Sequence, residues 1–170
     1  EKATINTRPL FINQTWLDNL NLEMPTTWEE LEDVLIAFKE QDATGNGDPG
    51  DEIPMDFQGI PNTRAPIYFL GSLGIKLSDD AGGGYFLDDG TVKCIYTDER
   101  LKTLLEFLRE LWAKELVNNE LFTQDYSKFQ SLARGEGKTA KVGVSWGWSA
   151  TDRFGTEVSD QYTSVPPLKY

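Results

Sequence analysis

Apolar residues recur every three or four positions in two long segments, and this spacing predicts two amphipathic helices. The first covers residues 28–38, and Thr27 and Glu30 are placed to cap its first turn. The second begins after Thr97 or Asp98, either of which can cap a helix. The apolar stripe of the second helix consists of Leu101, Leu104, Leu105, Leu108, Leu111 and Trp112.

Shorter apolar runs between turn residues predict strands. Residues 88–90, Asp-Asp-Gly, predict a hairpin turn, since Asp-Gly supplies positive φ angles. Asn13 is placed to cap a short helix after the first strand, and further helices are predicted at 64–73, stopped by Gly74, and at 125–135. The predicted strands are 9–12, 53–57, 85–87, 91–96 and 141–146.

Helices alternate with short strands apart from the one hairpin, which is the pattern of a layered α/β or α+β domain. Residues 78–84 are polar and rich in glycine, and they predict a mobile loop. Residues 165–168, Val-Pro-Pro-Leu, predict an extended segment that leads out of the domain. The chain of 170 residues fits one domain with a sizeable core.

Charge and composition exclude several classes of function. The net charge of −12 argues against nucleic acid and anionic membrane surfaces as partners, because both repel an acidic protein. The absence of histidine excludes Ser/His/Asp and Cys/His catalysis and histidine-ligated zinc or iron. The lone Cys94 cannot form an internal disulfide and is interpreted as a small core residue. Carboxylate chemistry remains open.

No apolar run is long enough for a transmembrane helix, which needs about 18 or more apolar residues. The sequence also shows no initiating methionine and no signal peptide. We therefore expect it to be an excerpt from a longer precursor.

Residues 42–54, called the acidic loop below, alternate oxygen-bearing side chains with glycine, an arrangement that suits a hard cation such as Ca²⁺. The last ligand position of an EF-hand loop would here be Ile53, so its bidentate role falls to Glu52 or Asp51. A solvated turn is the alternative, since Gly, Asn, Asp and Pro dominate turns without any metal. The side chains that predict calcium binding are those of Asp42, Thr44, Asn46, Asp51 and Glu52.

Several stretches of the chain resemble one family, the extracellular solute-binding proteins of carbohydrate ABC importers. The acidic loop is similar to a family loop that is rich in Gly and Asn and ends in Asp-Glu-Ile-Pro. The subgroup that it resembles most is the large lipoproteins of Gram-positive bacteria and the alginate-binding proteins. The other matching stretches are 10–20, 24–31, 37–39, 96–99, 111–116 and 141–143.

This resemblance implies an α/β fold: a single lobe of a type II periplasmic-binding-protein-like fold, with a short mixed sheet flanked by helices and one β-hairpin. It also implies that residues 1–170 are one domain, the second or distal lobe of a two-lobe protein, with an exit crossover near 164–170. Such proteins close two lobes about a hinge and trap a ligand between them. We expect one lobe alone to hold its sugar weakly.

The resemblance implies a structural calcium ion in the acidic loop, with Asp48 contributing its backbone carbonyl. Thr44 stands where the family usually has Asn, and the loop is one residue longer before Asp51. The implied partners are an oligosaccharide, the transmembrane permease subunits of an ABC importer and the missing first lobe, with no nucleic acid. The implied location is extracellular, by way of a lipidated N-terminus outside this sequence, or periplasmic.

Five residues that follow two predicted strands are candidates to contact a ligand. Trp146 and Trp148 follow one strand, and an indole offers a flat apolar face to the C–H side of a sugar ring. Trp146 could equally be a core residue. Asp56, Gln58 and Arg64 follow the other strand and could donate or accept hydrogen bonds. The remaining tryptophans lie on helical apolar stripes and are predicted to be core residues: Trp16, Trp28 and Trp112.

The favoured hypothesis is a sugar receptor without catalytic activity, and two alternatives come from other classes. A fragment of a glycoside hydrolase would need two carboxylates in a cleft, for which Asp56, Asp88 and Asp152 are available. A calcium-dependent interaction module of dockerin type would be expected to carry duplicated loops, and the sequence contains one.

Overall fold

The computed structural model describes residues 8–58, 65–76 and 84–170. Its centre is a mixed four-stranded sheet built from β1 (Leu10–Asn13), β2 (Ile53–Met55), β5 (Val142–Trp146) and β6 (Tyr162–Ser164), in the order β2-β5-β1-β6. β2 and β5 are parallel, whereas β1 is antiparallel to both of its neighbours. A separate hairpin pairs β3 (Tyr85–Asp88) with β4 (Thr91–Cys94).

Helices cover the sheet, as the alternating pattern predicted. The α-helices are α1 (Gln14–Leu20), α2 (Trp28–Glu40), α3 (Glu99–Ala113), α4 (Tyr126–Arg134) and α5 (Ala150–Phe154). Short 3-10 helices span Ala65–Leu73, Ile95–Thr97 and Ser159–Gln161. The segment 65–73 is therefore helical, but with the tighter 3-10 hydrogen bonding rather than as an α-helix. Gly74 follows it with a φ of 81°.

The predicted helix caps are present in atomic detail. The side chain of Asn13 accepts a hydrogen bond from Trp16 N at 3.0 Å, and that of Thr27 accepts one from Glu30 N at 3.1 Å. The Glu30 carboxylate accepts from Thr26 N at 2.7 Å, so the return half of this capping box lies one residue earlier than predicted. Asp98, rather than Thr97, caps α3.

The hairpin is also confirmed. Asp89 and Gly90 have φ angles of 48° and 79°, as the tight turn requires. The second strand is shorter than predicted, because the chain turns into a 3-10 helix at Ile95. Cys94, at the end of β4, is half-buried rather than a core residue. Residues 78–83 of the predicted mobile loop lie outside the described ranges.

The core lies between the sheet and its helices, and α3 shows where the apolar stripe misled the prediction. Leu104 and Leu111 are buried, but Leu105 is exposed and Trp112 is 38% exposed against Phe122. The prediction that Trp112 is a core residue is therefore wrong. Phe107, outside the predicted stripe, packs on Trp28 with ring centroids 4.8 Å apart. α3 thus turns a somewhat different face to the domain than the stripe indicated.

The segment predicted to leave the domain runs along it as far as residue 170. Val165 N donates to Leu10 O at 2.8 Å, and Lys169 pairs with Thr27 in a parallel bridge. The ring of Tyr170 lies 4.9 Å from that of Trp28. The segment is extended as predicted. Its role as a crossover to another lobe stays a prediction.

Candidate functional site

One edge of the sheet collects residues that the sequence singled out as ligand contacts. Because β2 and β5 are parallel, the residues after them, 56–58 and 147–149, emerge at the same edge. Arg8 and Pro9 lie there too, since Leu10 pairs with Trp146. We call this region the carboxyl edge.

Trp148 is an exposed aromatic residue of the carboxyl edge. Its side chain is 59% exposed, and the Arg8 guanidinium lies 4.4 Å from the centre of its ring. Ser149 directly follows Trp148 and caps α5 by accepting from Asp152 N at 3.1 Å, which fixes the backbone beside the indole. The result is a broad apolar surface next to a cation on a well-defined turn.

Trp146 is mainly a core residue. It is 6% exposed, and its ring centroid lies 5.1 Å from that of Phe69 and 5.8 Å from that of Phe57. One part of it lines an open cleft of about 510 Å³, together with Tyr68 and the Pro166–Pro167 pair. The structure therefore favours the core alternative while leaving Trp146 at the wall of a cleft.

The polar candidates that follow β2 are separated by the fold. Asp56 is 0% exposed, so its carboxylate lies inside the protein and not on a surface that a ligand reaches. This corrects the expectation that Asp56 offers hydrogen bonds to a ligand. Gln58 is half-buried at the carboxyl edge. Arg64 lies outside the described residues.

Asp56 belongs to a buried polar cluster behind the carboxyl edge. Its Oδ2 accepts from Arg153 Nη2 at 3.4 Å, and its Oδ1 accepts from Gln124 Nε2 at 2.8 Å and from Asn118 Nδ2 at 3.1 Å. Arg153 also donates from Nε to the hydroxyl of Ser145 at 2.9 Å. The cluster thus ties β2, β5, α5 and the α3–α4 connection together.

Burial is the largest influence on the pKa values of Asp56 and Arg153. Burial raises the pKa of Asp56, although the hydrogen bond from Gln124 and the charge of Arg153 oppose it. Burial likewise lowers the pKa of Arg153 to about 10, so that its guanidinium stays charged at neutral pH. A buried ion pair of this kind is costly to break, because removing one partner leaves the other charge unpaired.

Tyr126 is an aromatic residue near this edge that the sequence did not single out. It is 58% exposed in the first turn of α4, and its hydroxyl accepts from Gln130 Nε2 at 2.7 Å. α4 begins two residues after Gln124, which bonds to Asp56 at the end of β2, so the first turn of α4 starts close to the carboxyl edge. The available signal was weak: Tyr126 follows the capping residue Asp125 and lies outside the apolar positions of the helix.

The acidic loop lies at the opposite end of β2. The Asp42 carboxylate accepts from Gly47 N at 2.7 Å and from Asn46 N at 3.0 Å, so the chain winds around it. These bonds from Gly47 and Asn46 lower the pKa of Asp42. Asp51 is drawn into the loop by Asn46, whose Nδ2 donates to its Oδ2 at 3.0 Å.

Glu52 closes the acidic loop from its inner side. Its Oε1 accepts from Thr44 N at 3.0 Å, while its Oε2 is buried and has no hydrogen-bond partner among the described residues. Burial raises the pKa of Glu52. An unpartnered carboxylate oxygen in a loop of oxygen atoms is the arrangement that a bound cation would satisfy.

Two further oxygens of the loop are committed to its own backbone. Asn46 Oδ1 accepts from Asp48 N at 2.8 Å, and Asp48 Oδ1 accepts from Gly50 N at 3.0 Å. Within the described ranges, no group of three or more Asp, Glu, His or Cys side chains is close enough together to hold a metal ion. The loop can therefore hold a cation only with help from amide, hydroxyl or carbonyl oxygens.

A mixed sheet flanked by helices, with conspicuous side chains where parallel strands end, defines an α/β ligand-binding fold of the periplasmic-binding-protein class. The family model of the bacterial extracellular solute-binding proteins matches residues 2–169. The chain belongs to that family. Among the described helices, none has the length and apolar character that crossing a bilayer requires.

Two of the similar solved structures are solute-binding or substrate-binding proteins. An extracellular solute-binding protein from Bifidobacterium longum subsp. infantis is 36% identical, with a TM-score of 0.90 over 96% of this chain and 33% of that one. The Streptococcus pneumoniae substrate-binding protein FusA, in complex with kestose, is 31% identical with a TM-score of 0.79, over 96% of this chain and 31% of that one. Both confirm the predicted fold class.

Among curated proteins, the fructooligosaccharide ABC transporter substrate-binding protein FusA of Streptococcus pneumoniae is 32% identical over 93% of this chain. The chain spans 28% of the length of that relative. A FusA structure is described as an EF-hand mutant, and the alginate-binding protein AlgQ2, 25% identical here, was solved without calcium ion. These relatives are named as binding proteins.

Proposed function

We propose that this chain is the second lobe of an oligosaccharide receptor that serves an ABC importer, and that it holds its ligand at the carboxyl edge without catalysing a reaction. The observation that carries the proposal is the exposed indole of Trp148, which lies where the parallel strands of a solute-binding protein end. A relative that this chain matches, FusA, was solved in complex with the sugar kestose, which supports the proposal.

The chemistry of the edge suits a carbohydrate. A pyranose or furanose ring combines an apolar C–H face with hydroxyl groups around its rim, so it requires an aromatic platform beside polar groups. In this proposal Trp148 supplies the platform, and the polar groups are those of Gln58, half-buried after β2, and of Tyr126, exposed in the first turn of α4. Trp146 closes the wall of the neighbouring cleft. Arg64, outside the described residues, stays a predicted ligand contact.

The acidic loop is proposed to bind a structural Ca²⁺ through Asp42, Thr44, Asn46, Asp48, Asp51 and Glu52. The support is the unpartnered Oε2 of Glu52 beside the wrapped carboxylate of Asp42, among the residues that the structure describes. Calcium accepts amide, hydroxyl and carbonyl oxygens as well as carboxylates, which fits a loop in which few carboxylates converge. When bound, the ion would neutralise these carboxylates and hold the junction between α2 and β2.

The remaining parts of the proposal concern the whole protein. The partners are the first lobe, which would supply the other half of the pocket, and the permease subunits of the importer. The location is extracellular on a lipid anchor, or periplasmic. The support for both is membership of the family, together with relatives such as the lipoprotein LipO of Bacillus subtilis, 28% identical over 71% of this chain.

An oligosaccharide array followed by calorimetry of the full-length protein tests this function. We expect micromolar or tighter binding of at least one glycan, no release of shorter sugars, and a loss of about tenfold or more in affinity for Trp148→Ala. Trp112→Ala is the matched control, since Trp112 is also partly exposed but lies on α3. An array without any bound glycan, or equal affinities for the two variants, would contradict the proposal.

Hydrolysis of the bound glycan would instead favour the glycoside hydrolase alternative. Of its candidate carboxylates, Asp56 is buried against Arg153, and Asp88 is paired with Lys93 and Arg100. Cleavage that persists in the purified protein and disappears in Asp152→Asn would overturn the assignment as a receptor.

A further inference from the structure

Gln130 connects the buried polar cluster to the protein surface. Arg153 Nη1 donates to Gln130 Oε1 at 3.3 Å, and Gln130 Nε2 donates to the hydroxyl of Tyr126 at 2.7 Å. A continuous path of hydrogen bonds therefore runs from Asp56, which is fully buried, to a phenol that is more than half exposed. An ordinary surface tyrosine has no such connection.

The direction of each bond in this path follows from what the side chains can donate. A guanidinium group carries only donors, so the end of the Gln130 amide that faces Arg153 must be its carbonyl oxygen. The NH₂ end is then the one that faces Tyr126, and the phenol oxygen accepts from it. The O–H hydrogen of Tyr126 is consequently left to point away from Gln130.

The contacts of Arg153 hold its guanidinium in place, so it fixes the orientation of the Gln130 amide. Its Nε donates to Ser145 Oγ at 2.9 Å, its Nη1 also donates to the carbonyl oxygen of Phe129 at 2.9 Å, and its guanidinium lies 3.5 Å from the centre of the Phe129 ring. Asp56 receives the other end of the group. Because these partners are buried, the guanidinium has little freedom to turn.

We propose that Arg153 and Gln130 are positioning residues that fix the Tyr126 hydroxyl as a hydrogen-bond donor toward the bound oligosaccharide. The inference rests on the proposed function and adds a specificity rule to it. The sugar atom that meets Tyr126 is an acceptor, that is, a hydroxyl or ring oxygen with a free lone pair. A sugar that lacks this oxygen binds more weakly, because the donor would be left without its partner.

The decisive variant is Gln130→Glu, which has nearly the same shape. One oxygen of the introduced carboxylate would still accept from Arg153, but the other can only accept from Tyr126. The phenol would then turn its hydrogen inward and present only a lone pair to the sugar. We expect affinity to fall about three- to tenfold, the value of one hydrogen bond, and Tyr126→Phe to cause a similar loss.

The measurement is calorimetric titration of the full-length protein with the glycan that the wild type binds most tightly on the array. We expect Gln130→Glu and Tyr126→Phe to be non-additive, with the double variant no weaker than either single one. The unfolding midpoint of Gln130→Glu should equal or exceed that of the wild type, since the new carboxylate pairs with Arg153. Tyr85→Phe, which removes another exposed phenol on β3, should leave the affinity unchanged.

Two results would contradict the inference. Wild-type affinity in Gln130→Glu, or additive losses in the double variant, would show that Gln130 does not set the polarity of Tyr126. If Gln130→Glu fails to fold, deoxy analogues of the same glycan decide: one of them should lose affinity in the wild type but not in Tyr126→Phe. If the wild type binds no glycan at all, the proposed function fails first, and this result is distinct from the others.

Discussion

The two ends of β2 carry carboxylates in opposite situations. At the end that leads to the carboxyl edge, Asp56 is fully buried, and two amides and a guanidinium satisfy it. At the other end, Glu52 has one oxygen that accepts from Thr44 and one buried oxygen without a partner in the described structure. A carboxylate beside a strand is therefore not by itself a site. What matters is whether the protein already supplies its counter-charge.

The largest effect should follow from removing the positive charge that faces Asp56. Arg153→Met removes the counter-charge and leaves Asp56 buried and unpaired, so we expect the free energy of unfolding to fall by about 3–5 kcal/mol in urea denaturation. The double variant Asp56→Leu/Arg153→Met should lose less than Arg153→Met alone, because no unpaired charge remains. A loss of unfolding free energy below about 1 kcal/mol for Arg153→Met would show that the Asp56–Arg153 pair contributes no more than an exposed ion pair. The carboxylates at the two ends of β2 would then not differ as described.

The next largest effect should come from adding calcium, whose positive charge would pair with the carboxylates of the acidic loop. Calcium at a hundredfold excess over its dissociation constant should stabilise the protein by about 2.7 kcal/mol, because it binds only the folded loop. Chelator should therefore lower the melting temperature, and Glu52→Gln should weaken or abolish this response.

Glu40→Gln is the matched control for the calcium experiment. It removes the same charge two residues before Asp42, from an exposed position at the end of α2. It should melt with the same calcium response as the wild type. An identical melting curve with and without chelator, with no metal found by elemental analysis, would remove the calcium proposal.

A partly exposed ion pair at α3 should give an intermediate effect. Asp98 accepts from Arg100 Nε at 2.7 Å and caps α3, and mainly this bond lowers its pKa from 3.8 to about 2. Asp98→Ala should cost about 1 kcal/mol through the lost cap. Because the folded pKa is depressed, the stabilising charge is fully present above about pH 4 and is lost as the pH falls toward 2.

Asp98→Asn separates the cap from the charge. It keeps a side-chain oxygen to cap α3, so at neutral pH it should be more stable than Asp98→Ala. The difference in unfolding free energy between wild type and Asp98→Asn should shrink between about pH 4 and pH 2. A difference that is constant across this range would show that the pair with Arg100 contributes nothing measurable.

The smallest effect is expected for an exposed pair. Lys39 Nζ lies 2.9 Å from Glu115 Oε2, with both side chains well exposed, so water and salt screen the attraction. Glu115→Gln should leave the unfolding midpoint within experimental error at physiological salt. A clear destabilisation would mean that burial is not what separates Asp56 from the other carboxylates.

The sequence was sufficient wherever a structure depends on neighbours along the chain. Helical spacing with Thr27 placed α2, Asn13 placed the start of α1, and Asp-Gly placed the hairpin turn, all confirmed by the geometry. These features depend on backbone hydrogen bonds and φ angles within a few residues. The family resemblance was also carried by local stretches, and the family match confirms it.

Burial could not be predicted in the same way, because it depends on elements that are distant in the sequence. The sequence predicted that Asp56 contacts a ligand, but the fold brings Arg153 to it from 97 positions away. Trp112 belonged to an apolar stripe, yet the packing of α3 brings the half-buried Phe107 against Trp28 instead. A stripe gives the face of a helix only to within about one residue position in each turn.

Short-range patterns in the sequence thus predicted most of the elements, the turn chemistry and the acidic loop, whereas α5 and β6 were not among the predicted elements. Contacts between distant segments satisfy Asp56 internally, leave Trp146 mostly buried and Trp148 exposed, and join Tyr126 to Arg153 through Gln130. The physical reason is that a polar group's partner is set by three-dimensional proximity, and the strongest partners of these groups lie on other strands and helices.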